Sequence, residues 1–138
     1  MRFLALCLTL LPLPLGAWET PRIGTALRAD LMDAMRPHAE WIFGAPLVFR
    51  VDELRVDGDV AFAMLEPLRK DGRAMTPADL IPGHSRDIFE FDGPAMQALF
   101  RRSGNTWVAV HWAIGATDAW WFGDPYCSDW KSVIPEAC

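Results

Sequence analysis

Two turn signals constrain this chain more than anything else in it: Asp57-Gly58 and Ser103-Gly104-Asn105. Short loops of this composition join antiparallel strands. Before the first signal, Leu47, Phe49 and Val51 alternate with Val48, Arg50 and Asp52. After Asp52-Glu53 the alternation slips by one and Leu54 and Val56 carry it on, which predicts a β-bulge. Val60 to Leu65 is the partner strand, ending at Glu66-Pro67. After the second signal, Thr106 to Ile114 reads TWVAVHWAI, apolar on both faces apart from His111. Such a run predicts a central strand covered on both sides. Its hairpin partner is Ala95 to Arg102, with a helix from Gly93 as the alternative.

Upstream of both hairpins the period changes to that of a helix. Thr20-Pro21 reads as N-cap and first helical position. Ile23, Leu27, Leu31 and Met35 recur at helical spacing, with charged residues mostly off that stripe. Pro37 either kinks the helix or begins a second one, His38 to Phe43, and Gly44 and Pro46 end it. Between the hairpins, Arg69 to Pro94 is loop-like, and loops of that length are often functional. A short helix is expected at Thr76 to Ile81, a brief edge strand at Ile88 to Phe91, and a short helix capped by Thr117-Asp118 and running through Trp121. The order predicts an α+β layer: a long N-terminal helix packed on a four-stranded antiparallel sheet.

The 138 residues fit one domain. They are 51% hydrophobic and 22% charged, which excludes a disordered chain. Thirteen Lys and Arg against eighteen Asp and Glu give a net charge of −5, which argues against a general nucleic-acid binder. Residues 1–17, MRFLALCLTLLPLPLGA, have the order of a secretory signal peptide: Arg2, an apolar run, Pro12 and Pro14, then Gly16-Ala17. An uncleaved anchor is the alternative. Cleavage after Ala17 leaves residues 18–138 as a single domain, not membrane-spanning, in the periplasm or secreted. Cys127 and Cys138 remain in that domain, and an even pair in an oxidising compartment predicts a disulfide that pins the C-terminal tail. The alternatives are two free thiols or a metal site, for which the ligands are too few.

The segments LRVDGDVAFAMLEPLRKDGR (Leu54 to Arg73) and RRSGNTWVAVHWAIGATDAWW (Arg101 to Trp121) resemble a group of small exported bacterial proteins of unknown function. The helix-plus-sheet order is also similar to the cystatin and nuclear-transport-factor-2-like folds, a topological likeness that transfers no function. Cystatin inhibitors carry a Gln-x-Val-x-Gly hairpin. Here Gln97 is followed by Ala98-Leu99-Phe100-Arg101, so that motif is absent.

No catalytic set stands out. His38, His84 and His111 lie on different elements without metal spacing, so no metal is expected. His84 and Ser85 are adjacent and point apart on an extended chain, and there is no nucleophile elbow. Neither a Walker loop nor a G-x-G-x-x-G is present, so no cofactor is expected. Glu66 and Asp118, with His111, form the one candidate general acid/base set, placed in an apolar pocket. As a lone residue, His111 reads as a satisfied sheet residue, and Asp118 as a helix cap.

The seven tryptophans are the unusual feature. Trp107 and Trp112 differ by five on one strand, which predicts opposite faces. Trp120-Trp121-Phe122 cannot all face one core, so at least one is exposed or covered by the tail. Export, a disulfide, aromatic excess and no catalytic set point to a non-catalytic binding module. Its partner would be a protein or envelope component, met at Trp120, Trp121 and Phe122. The alternative is a pocket protein or acid/base enzyme using His111, Glu66 and Asp118. A homodimer through an open sheet face is compatible with either.

Overall fold

The structure is a computed structural model describing residues 18–90 and 93–138. The expected leader, residues 1–17, and the Phe91 end of the expected edge strand lie outside the described residues. Helix α1 (Ala26–Phe43) packs on one face of a sheet formed by β1 (Val48–Asp57), β2 (Val60–Leu68), β3 (Met96–Ser103) and β4 (Thr106–Ile114). The sheet is an antiparallel meander in chain order. The C-terminal tail, with the one-turn helix α2 (Cys127–Trp130), packs on the other face.

The helix starts later than the Thr20-Pro21 signal implies. Its N-cap is Thr25, whose Oγ1 accepts from the Arg28 backbone N–H at 3.4 Å. Two features displace the start. Gly24 has φ +86°, outside the helical region. Glu19 exchanges two backbone hydrogen bonds of 2.8 Å with Val56, so the segment before the helix lies along the sheet edge. Ile23 accordingly is exposed. The helix runs through Pro37 without a second start and ends at Gly44, whose N–H donates to the Glu40 carbonyl. Its buried stripe is Leu31, Met32, Met35, Ala39, Ile42 and Phe43.

Both hairpins close with two-residue loops, Gly58-Asp59 and Gly104-Asn105, and the glycine leads each with positive φ. A leading glycine matches the strand twist of tight hairpins. The predicted slip in β1 is present: register shifts between Val51 and Glu53, leaving Asp52 unpaired. Phe49, Val51, Leu54 and Val56 therefore all face α1. Met96–Ser103 is a strand, as the hairpin reading of Ala95 to Arg102 required.

β4 departs from expectation in two ways. Among the described residues it is an edge strand, with Val108 and Val110 exposed, because a meander leaves its last strand unpaired on one side. A second slip also occurs opposite Leu99 and Phe100, where Val110 has no partner. That extra residue resets the alternation. Trp107 and Trp112 consequently share the helix face instead of pointing apart, and Trp112 packs on His38 with ring centroids 4.7 Å apart.

The long loop holds two single 3-10 turns. Pro77–Asp79 follows Thr76 in a capping box, a shorter form of the expected helix. Arg86–Phe89 is capped by Ser85 and replaces the expected edge strand. Ile88 crosses over Gly115, where an added Cβ would lie 3.0 Å from the Ile88 Cα. Thr117-Asp118 caps no helix: Gly115 to Tyr126 is a series of bends and turns.

Candidate functional site

The face of the sheet away from α1 is built by Phe62 of β2 and Leu99 of β3, both buried. Residues Trp120 to Cys138 close over it. They have one turn of helix and one of 3-10, too little regular structure to bind by periodicity alone. Directional bonds hold them instead. The Trp130 indole N–H donates to the Phe100 carbonyl at 2.8 Å, beside the β4 slip. The Trp120 indole donates to Gln97 Oε1 at 3.3 Å, which satisfies the one buried polar side chain of β3. Trp121 lies on Phe62 with ring centroids 5.2 Å apart. Its own N–H is buried without a partner among the described residues.

Arg55 clamps the far end of this tail. Its guanidinium pairs with Glu53, donates to Glu136 at 2.7 and 2.8 Å and to the Val133 carbonyl at 2.9 Å, and lies 4.8 Å over the Trp18 ring. Burial opposes the charge of Arg55, but hydrogen bonds to Glu136 and Glu53 outweigh it and raise the pKa. Arg101 adds a pair with Asp129 at 2.6 Å and a contact over the Trp130 ring. Cys127 and Cys138 are disulfide-bonded with Cα atoms 5.5 Å apart, as the cysteine count predicted.

The three aromatics singled out in the sequence are divided by this geometry. Trp121 is buried and Trp120 half-buried, while Phe122 is 51% exposed on the turn that follows them. Trp121 supports it from below, ring centroids 6.1 Å apart.

The acid/base candidates occupy separate places. His111 is exposed on β4, edge-on to Tyr126 and Trp130 at 5.2 and 5.4 Å. Glu66 is on β2, ion-paired with Arg50, which also holds Asp52. β3 lies between those strands, a separation of about 10 Å. Leu65 is opposite Met96 and His111 is opposite Leu99, which adds roughly 10 Å along the strands. Asp118 lies exposed in the turn after β4. An open cleft of about 470 Å³ lies elsewhere, at the start of α1, lined by Ile23, Thr25, Arg28, Met32 and Arg36 among others.

Titratable groups elsewhere are also perturbed, Asp79 and His38 among them. Asp79 accepts from Arg73, Arg69 and Thr76. The Arg73 hydrogen bonds lead in holding its carboxyl well below the usual range, against the opposing effect of burial. Arg69 also donates to the Phe43 and Gly44 carbonyls, so this cluster caps α1 and ties the long loop to it. Burial pushes the His38 pKa down. Among the described residues no group of three His, Cys, Asp or Glu is placed to hold a metal ion, and no helix is long and apolar enough to cross a membrane.

Sequence reasoning missed Arg55, Gln97 and Asp79. Asp79 had a readable signal, since Thr76-Pro77-Ala78-Asp79 is a capping-box spacing. Arg55 and Gln97 had none, because their partners lie 81 and 23 residues away. No family model matches the chain, and no curated protein or solved structure matches it.

Proposed function

We propose that this is an exported, non-catalytic binding module that presents Phe122 to a protein or envelope component, in the periplasm or outside the cell. One observation carries the reading. Three consecutive aromatics are divided so that two are built into the scaffold and the third is held out in water on a turn. A large apolar side chain fixed in place loses little entropy on binding, which is how interface anchors work. The disulfide supports the oxidising compartment. Kinship with the small exported proteins, and the cystatin-like or nuclear-transport-factor-2-like arrangement, belong to this reading and rest on the quoted segments and element order.

The test is photocrosslinking in an envelope extract, with a probe placed beside Phe122 and adducts mapped by mass spectrometry. A saturable adduct that disappears in Phe122→Ala, with the far-ultraviolet spectrum unchanged, is the expected result. If no adduct forms, or if one forms equally well in Phe122→Ala, Phe122 is not the anchor. A small molecule co-purifying in native mass spectra would instead favour the pocket reading with His111, Glu66 and Asp118.

A further inference from the structure

We propose that the free edge of β4 is a self-association surface, pairing antiparallel with β4 of a second copy of this chain. The two outer strands of the sheet are treated differently. β1 carries Arg50, Asp52, Glu53, Arg55 and Asp57, and its backbone at Val56 is already bonded to Glu19. Among the described residues β4 has neither protection. No Asp, Glu, Lys, Arg or Pro occurs from Ser103 to Thr117. Val108 and Val110 are 46% and 43% exposed. A free edge offers a row of backbone donors and acceptors, and charges and prolines are the usual means of keeping it single. Here they guard one edge and are missing from the other.

The geometry of the strand selects the occupant. Ser103 and Thr106 close a two-residue loop, so Thr106 bonds inward to β3 and alternation turns the backbone groups of Trp107 and Ala109 outward. Two-fold pairing centred on Val108 then sets Trp107 opposite Ala109 of the second copy. Both lie on the helix side, where the ring of one meets the methyl of the other. Val108 meets its own counterpart. A shift of two residues either way would put Trp107 against Trp107, or against His111 beyond the slip, where faces no longer match. The strand is thus self-complementary in one register, over Thr106 to Val110, as a two-fold interface requires. The sheet face is already closed by the tail, so the homodimer forms edge to edge. The proposal is independent of the Phe122 reading.

Sedimentation equilibrium of the purified protein, disulfide intact, tests it directly. A reversible dimer is expected, weakened by about tenfold or more in Val108→Lys, since a lysine on an edge disfavours pairing. Val108→Cys supplies a second test that does not depend on how well the lysine variant folds. Counterparts in a non-hydrogen-bonded pair have Cα atoms about 4.5 Å apart, within disulfide reach. It is expected to give a covalent dimer on mild oxidation, whereas Val48→Cys on the opposite edge does not. A monomer throughout the concentration range overturns the proposal. So does a dimer that Val108→Lys leaves intact while Val108→Cys fails to crosslink. Capture of an extended peptide by a purely monomeric protein would assign the edge to another partner and equally overturn it.

Discussion

The two faces of the sheet are covered by segments of nearly equal length and very different construction. On one side, α1 places aliphatic and methionine side chains at helical spacing over Leu54, Leu65, Met96 and Phe100. Burial is nearly enough there, because the helix satisfies its own backbone. On the other side the tail has little regular structure, and it uses four aromatic rings, two indole hydrogen bonds, two arginine pairs and a disulfide. The tail's turns satisfy part of its own backbone, and side-chain contacts are what fix it to its platform. The first face is held by non-directional burial and the second by directional contacts, so the two should fail differently.

The largest expected effects compare those failures. Leu31→Ala on the helix face should lower global stability by about 3–5 kcal/mol, with all probes moving together in a urea titration. Trp130→Ala should cost a similar amount at the tail, about 3–5 kcal/mol, and remove the indole hydrogen bond to the Phe100 carbonyl. Its signature should be early proteolysis between Gly123 and Cys138 while the far-ultraviolet spectrum persists. If both variants lose structure in one step, the two faces form a single cooperative unit and the contrast fails.

Opening the disulfide is the next step down. The ring is 12 residues, given the sequence separation of 11, and replacing Cys127 and Cys138 by serine should cost about 3 kcal/mol. Hydrogen exchange should rise first at Trp130 and Val133 and leave α1 protected. Equal loss of protection in α1 would show that the tail supports the helix face as well.

The smallest effect concerns neither face but the loop between them. Asp79 has a depressed pKa in the fold, so its contribution is present above the ordinary carboxylate value near 4 and is lost as pH falls through the folded value. Asp79→Asn should therefore be less stable by about 1–2 kcal/mol at pH 7, in line with loss of charge-assisted hydrogen bonds. The gap should close as pH is lowered toward 2. A gap that is constant with pH would mean the carboxylate charge is not what ties the loop to α1.

The parts of the fold visible in the sequence were those with local causes. Gly58 and Gly104 mark tight turns because their backbone needs positive φ there, and the slip at Asp52 interrupts an otherwise regular alternation. The slip at Val110 is hidden, since Val108 to Ala113 is apolar apart from His111 whichever way it is read, and so a separation of five reads as placing Trp107 and Trp112 on opposite faces. The same uniformity made β4 read as a central strand. The helix start lies beyond the Thr20-Pro21 signal because Thr20-Pro21 and Thr25 both resemble caps, and the backbone of Gly24 and the long-range pairing of Glu19 with Val56 decide between them. At the candidate site, the disulfide followed from counting cysteines. The division of Trp120, Trp121 and Phe122 did not, because it depends on where Phe62 and Gln97 stand.

Arg55 touches Trp18 at one end of the described chain and Glu136 at the other. This junction cannot close until Glu136 has reached Arg55, across the helix and both hairpins. Joining residues 81 apart also carries a loop-closure cost that the hairpins avoid. The helix and the meander can assemble earlier, from neighbours in sequence. There is consequently an interval in which Phe62 and Leu99 face water with nothing over them, and the folding chain is at its stickiest just before the tail docks.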